Sequence, residues 1–386
     1  MKPTTFPTLY KKTSTGATQC WTVAVEGNTI ITRFGQVNGA IQETRDVIKE
    51  GKNIGKKNET SPEKQAELQA QSDWTKKIER KGYVEEMDRA EAGENNAAGG
   101  IDPMLAKKYF ADGTTTELED GAKIKFPALL QPKLDGIRCI AVVNGGKCTL
   151  WSRTKEPIVS VPHINAAYEK HFGQGNIVLD GELYSNNYSD NFEHIVHLVK
   201  QKLKPIEGYE AVQHHVYDLP SSPSMNRERC REIGKEFASG LSITGHIVEV
   251  ATVTVESRED MMKKFRLFRE MGYEGAIVRN ATGLYVNKRS FDLQKVVETI
   301  TEEFKILGIE EGKGKLQGHV GAFLLEAKNG QAFKAKMSGD TDRLKEYFNK
   351  PSLWKSKSMT VRFRTLTRKN NVPRFPVALA IRSEYE

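Results

Sequence analysis

The stretch "LLQPKLDGIRCIAVVNGGKCTLWSR", Leu129 to Arg153, decides how the chain is read. An apolar run is broken by Lys133, Asp135, Gly136 and Arg138 and then resumes. Asn144-Gly145 is a two-residue hairpin signal, so strands are expected over 137–143 and 147–152. Lys133 and Asp135 lie two apart, which in an extended chain puts both on one face. Gly136 lets the backbone turn or approach a ligand closely. Taken alone, the stretch would also suit a turn with two exposed charges.

Other stretches repeat the pattern. In "IVLDGELY", Asp180 and Glu182 share a parity within an otherwise apolar strand. Glu274 opens the apolar strand of "YEGAIVRN", and Lys295 sits in "FDLQKVVE". Charges on buried strands must be paired or liganded. A pocket holding a polyanion and a divalent cation would satisfy all of them. Glu182 and Glu274 suit Mg²⁺, which prefers oxygen ligands, and the lysines and arginines suit phosphates. The chain has no G-x-x-x-x-G-K-[ST] loop and no G-x-G-x-x-G after a strand; "EGKGKLQG" reads as a turn. A lysine nucleophile remains. An ordinary lysine, of pKa ~10.4, is protonated near neutrality. Burial and the cations Arg138 and Lys295 would favour its neutral form. Attack on an α-phosphate would give a phosphoramidate and release pyrophosphate.

The 386 residues, 38% of them hydrophobic, fit two or three globular domains, and the net charge of +8 favours an anionic partner. The four cysteines form no C-x-x-C pair, as expected of a reducing interior. His194 and His197 lack a partner cluster for a metal. No run approaches the ~18 apolar residues of a membrane span, and the N-terminus has no signal-peptide core. Residues 1–84 read as short strands followed by a helix starting at Thr60 or Ser61 with Pro62 in its first turn. Residues 85–100, acidic and then glycine-rich, form a linker. Within 101–300, strands are expected at 128–134, 137–143, 148–152, 177–184, 212–219, 246–254 and 274–280. Helices are expected at 190–202, 225–239 and 257–271, the last with a Ser257/Asp260 capping box and Gly272 past its end. Residues 301–386 read as a small β-rich domain with one helix near 341–349. Between Lys355 and Arg374 there are seven Lys or Arg and no Asp or Glu. The interleaved Phe363 makes this run, with Arg362, Arg364, Arg368, Lys369 and Arg374, a candidate surface for a phosphate backbone.

These motifs together resemble the covalent nucleotidyltransferases: ATP-dependent DNA ligases, RNA ligases and mRNA capping enzymes. "KLDGIR" is similar to their K-x-D-G-x-R motif. Ser152-Arg153, "LDGELY", "VYDL", "EGAIVR" and "FDLQKVVE" follow in the family's order. The resemblance implies an α+β fold: a nucleotidyltransferase domain of antiparallel sheets with flanking helices, a C-terminal OB-fold barrel, and a small N-terminal β-rich domain with a helix. It implies that Lys133 carries AMP taken from ATP with Mg²⁺. Asp135 would assist the later attack, and Arg138 and Arg153 would contact phosphates and the DNA 5′-phosphate. Glu182 would hold ribose or metal and Glu274 the metal. Tyr217 would stack on adenine, Lys295 would bind the α-phosphate, and Gln131 would read the adenine edge.

The C-terminal segment resembles the OB-fold of the smaller ATP-dependent DNA ligases, with Arg374 and Arg382 facing pyrophosphate or DNA. The partner implied is nicked duplex DNA, and the enzyme is expected to be a monomer, cytoplasmic or nucleoid-associated (host cytoplasm if viral). One departure stands out. Relatives carry two lysines in the fifth motif, and here the second is Val297, with Lys288 or Arg289 as substitutes. Phe34-Gly35-Gln36 resembles the Trp-Gly-Arg of DNA-repair WGR modules, which implies a DNA contact by residues 1–84; a packing role for that domain is the alternative. An RNA ligase, a capping-type enzyme and a non-catalytic DNA-binding module are the other readings of the chain.

Overall fold

The computed structural model describes residues 4–13, 16–92, 101–110, 123–189, 191–337, 340–367 and 370–382. They fall into two compact units: Met1–Ala98 together with Thr299–Glu386, and Gly99–Glu298.

The second unit is built on two five-stranded sheets. The strands are β1 (Leu105–Lys108), β2 (Ala128–Lys133), β3 (Ile137–Asn144), β4 (Lys147–Ser152), β5 (Ile177–Tyr184), β6 (Gln213–Asp218), β7 (Ile247–Glu249), β8 (Val253–Val255), β9 (Gly275–Asn280) and β10 (Arg289–Val296). One sheet runs β7-β6-β5-β3-β4 and the other β8-β2-β9-β10-β1. Pairing is antiparallel except at two edges, where β7 lies parallel to β6 and β1 parallel to β10. The helices are α1 (Pro162–Phe172), α2 (Phe192–Val199), α3 (Asn226–Glu236) and α4 (Arg258–Glu270).

The alternation of the sequence explains the layers. In the second sheet, Ala128, Leu130, Ala276, Val278 and Val296 pack on Met261 and Phe265 of α4. Residues of the other parity, among them Gln131 and Lys133, therefore occupy the opposite face. α4 is capped as expected: Ser257 Oγ accepts from Asp260 N at 3.2 Å, and Gly272 follows with φ +89°.

Three expectations shift. The hairpin turn is Gly145-Gly146, one residue later than read, because Asn144 pairs with Lys147 and both glycines take the positive φ that a tight hairpin turn requires. The expected strand 246–254 is two short strands in different sheets, split at Val250–Thr252. α1 was not expected, since Val161 offers no capping side chain.

In the first unit, a five-stranded sheet within residues 4–47 packs Leu9, Trp21, Val23 and Val25 against Ala66 and Ala70 of the helix Pro62–Lys81. Ser61 is its cap. Residues from Ile300 onward form a closed barrel of five strands around Phe304, Phe323, Leu325 and Val361, with a helix at Thr341–Asn349. Lys49 Nζ and Glu311 Oε2, 2.8 Å apart, join the two parts.

Candidate active site

The opening stretch crosses from one sheet to the other. β2 ends at Lys133, and after Leu134-Asp135-Gly136 the chain enters β3 in the other sheet. Gly136 is required by close approach: a Cβ there would stand 2.3 Å from Leu183 O and 2.8 Å from Glu182 Cγ. The chain returns between sheets at Val250–Thr252, so Lys133 stands beside a double seam.

Lys133 is partly buried and its Nζ is in contact with a Glu274 carboxylate oxygen. Glu274 stands one residue before β9, its N–H bonded to Lys133 O at 3.2 Å. A carboxylate thus stands against the amine, where the sequence reading placed cations. Arg138 is committed elsewhere. It makes a two-pronged ion pair with buried Asp180, with Nε to Oδ1 at 2.5 Å, and donates to Met104 O at 3.0 Å. Tyr285 OH also donates to Asp180, at 2.8 Å.

Glu182 faces Arg138 across β3 and β5. Burial pushes its carboxyl up to about 7, although Lys133 and Arg138 oppose the shift. Tyr217 OH lies 3.1 Å from Gly181 O and 3.3 Å from Glu182 Oε2. Its ring lies under the guanidiniums of Arg138 and Arg279, 5.2 and 5.6 Å from its centroid. Gln131 is 2% exposed and uses its amide within the seam. It donates to Thr252 Oγ1 at 2.9 Å and Tyr217 O at 3.3 Å, and accepts from Arg279 Nε at 3.0 Å.

Arg153 is exposed, one residue past the last pair of β4 with β3, Ser152 with Cys139, which puts it at the Arg138 end of the hairpin. Asp135 is partly exposed on the crossing itself. Lys295 lies on β10 opposite Ile277, itself opposite Gln131, so these three share a face. Arg289 lies six residues earlier, about 20 Å along the strand, and donates to Ala106 O. Neither it nor Lys288 stands where the second lysine was expected.

A buried network was not read from the sequence. Asp218 accepts from Arg229 Nε at 2.6 Å and is in contact with Arg279 Nη1. Burial pushes the Asp218 carboxyl up, but Arg279 and Arg229 outweigh it and hold it below its ordinary range. The available signal was helical spacing: Asn226, Arg229 and Ile233 form the buried stripe of α3.

Among the described residues no cluster of three His, Cys, Asp or Glu could hold a metal. Glu182 and Glu274, both near Lys133, fit Mg²⁺ in another way, since that ion takes one or two carboxylates and completes its shell with phosphate oxygens and water. Of the candidate DNA contacts, Arg362 is 8% exposed within the barrel wall. Arg364 and Arg374 lie against exposed Phe375, 5.2 and 4.9 Å from its ring centroid. Arg368 and Lys369 lie outside the described residues. Arg382 donates to Thr360 Oγ1 at 3.0 Å. No helix among the described residues is long and apolar enough to cross a membrane.

Residues 103–296 match the family model of the ATP dependent DNA ligase domain, and residues 311–382 that of the DNA ligase OB-like domain. The DNA ligase of African swine fever virus is 27% identical over 419 residues, covering 95% of this chain and 92% of its own. The DNA ligase of Enterobacteria phage T4 is 23% identical, over 62% of this chain and 57% of its own. Two solved structures share the fold. One, from a study of Lig E DNA ligases, has a TM-score of 0.59 and 24% identity, covering 74% of this chain and 100% of its own. The other, Pmar-Lig_Pre, has a TM-score of 0.64 and 21% identity, covering 75% and 69%.

Proposed function

The chain belongs to the ATP-dependent DNA ligase family and acts by adenylation, and from that premise we propose that Lys133 is the residue that takes up AMP. The observation that carries this reading is the placement of Lys133. It is the one end residue of β2 that reaches the crossing between the sheets, with Glu274 on its amine and Glu182 close by.

In the first step the Lys133 Nζ lone pair attacks the α-phosphorus of ATP. The Pα–O bond to the β-phosphate breaks, and its electrons leave with pyrophosphate. Nζ must shed a proton first, and the Glu274 oxygen in contact with it is the acceptor at hand. AMP then passes to the 5′-phosphate of a nicked duplex, and the adjacent 3′-hydroxyl expels it. Mg²⁺ held by Glu182 and Glu274 would supply charge neutralisation at the phosphates.

The remaining roles follow from position. Lys295 binds phosphate from the face shared with Gln131. Tyr217 offers the aromatic surface for adenine. Gln131, expected at the adenine edge, is a brace that holds Tyr217 and Arg279. Arg138 sets Asp180, Tyr217 and the Glu182 row, while exposed Arg153 meets the DNA 5′-phosphate and partly exposed Asp135 assists the later attack. Arg364 and Arg374 contact the duplex backbone, as does the WGR-like domain of residues 1–84, whose loop carries exposed Lys52, Lys56 and Lys57.

The test is covalent labelling with α-labelled ATP and with GTP, followed by sealing of nicked DNA. Wild type should label with ATP and seal, and Lys133→Ala should lose the label and all sealing that starts from ATP. Labelling of Lys133→Ala, or labelling by GTP alone, would overturn the assignment.

A further inference from the structure

The second sheet has an apolar face against α4 and a polar face that carries Gln131, Lys133, Ile277 and Lys295. β1 joins this sheet at its edge, parallel to β10, with Lys108 in register with Lys295. Its next residue, Tyr109, is 3% exposed and belongs to the apolar cluster on α4. Successive strand residues alternate in face, so Lys108 belongs to the polar face. Tyr109 N donates to Lys295 O at 3.0 Å, which fixes this pairing.

Two half-buried lysines thus stand side by side on neighbouring strands ~4.8 Å apart. Two cations so placed can share one anion between them. The row of Lys133 tells the other half. Gly275 pairs with Lys133, and Val297 follows in that row, its Cγ1 3.1 Å from where a Gly275 Cβ would stand. The row next to the nucleophile therefore ends in an apolar cover, and the cation beside Lys295 comes from β1 instead.

We propose that Lys108 is a phosphate-binding residue of the nucleotide site, acting with Lys295 as a two-lysine clamp on the phosphates of ATP. The assignment rests on Lys133 as the residue that takes up AMP. A phosphate oxyanion between the two ammonium groups gains two charge-assisted hydrogen bonds from strands that are locked in register. The position is set by the sheet rather than by a loop, so the clamp is formed before the nucleotide arrives.

Single-turnover labelling of the full-length protein with α-labelled ATP and Mg²⁺ tests it. Lys108→Ala should raise the ATP concentration for half-maximal labelling about tenfold while its melting temperature stays at the wild-type value. Lys108→Arg should keep near-wild-type ATP use, since the charge and the reach remain. Val297→Lys added to Lys108→Ala should restore much of the loss by supplying a cation from the Lys133 row. Unchanged half-saturation in Lys108→Ala would overturn the proposal. So would a Lys108→Arg variant as impaired as Lys108→Ala, because strand packing would then be the cause. Lys133→Ala run alongside separates the two assignments: persistence of its label defeats the role of Lys133, whatever Lys108 does.

Discussion

Glu182, which we propose as a holder of Mg²⁺, is also a carboxylate whose proton affinity the fold has raised. Its folded value of about 7 lies above the ordinary 4.5, chiefly through burial. A group raised in this way contributes stability below its unfolded value and loses it as pH rises through about 7. Glu182→Gln should therefore gain stability over wild type between pH 5 and 8, by on the order of 3 kcal/mol, as read by chemical denaturation at each pH. The Mg²⁺ concentration needed for half-maximal adenylation should fall as pH rises across 7 in wild type, and this dependence should flatten in the variant. A wild-type requirement that is the same at pH 6 and pH 8 would remove Glu182 from the metal. Lys133, Glu182, Glu274 and Lys295 were legible in sequence because each breaks an apolar strand. Their partners were not. Nothing in "KLDGIR" says that Arg138 is bound to Asp180, or that the nearest charge to Lys133 is negative, because register between distant strands decides both.

The elements that make the site are the two crossings, Leu134–Gly136 and Val250–Thr252. Sequence showed the first as charges in an apolar run and hid the second inside an apparent single strand, since the short β-branched stretches that start at Ile247 and at Val253 look alike whichever sheet they join. The apolar residues on both sides, from Ile247 to Val255, gave no sign of the change of sheet. Gln131 ties β2 to the second crossing through Thr252 and to β9 through Arg279. Behind it, α3 contributes Arg229, 1% exposed, to Asp218 on β6. In the string "NRERCREIG" it looks like a surface charge, and only the stripe Asn226, Arg229, Ile233 distinguishes it. Asp218→Asn leaves two buried guanidiniums short of their counter-charge and should cost about 3–5 kcal/mol. Chemical denaturation measures this, and a loss below about 1 kcal/mol would show the triad to be energetically idle. α1 escaped notice for a local reason: Val161 gives no cap, and the first signal of the helix is Pro162 alone.

Across the whole molecule, acid sensitivity follows from two buried histidines. His214 Nε2 faces Cys139 O at 3.1 Å and must carry its proton there, so Nδ1 accepts from Tyr168 OH at 2.6 Å. Burial lowers His214 to about 3 and His215 to about 4. Both lie below their unfolded value, so their contribution is complete above about 6.5 and is lost as pH falls towards those folded values. The denaturation midpoint should drop between pH 6.5 and 4 even though Glu182 works in the opposite direction there; a midpoint that rises over that range would contradict the neutral assignment. The changes of composition along the chain, from the acidic stretch to the basic tail, were legible. That the first and last segments share one compact unit was not, because Lys49 and Glu311 are 262 positions apart and each looks solvated. The crossing at Lys133 finally bears on motion. β2 is laddered to β8 over Ala128–Leu130 and to β9 along its full length, so the backbone under the amine cannot swing without tearing a sheet. Only the four methylenes of the side chain are free to travel. With Lys133 as the proposed carrier of AMP, the nucleotide would ride on a short tether from a stationary post, and alignment in the later steps would fall to the DNA ends that are brought to it.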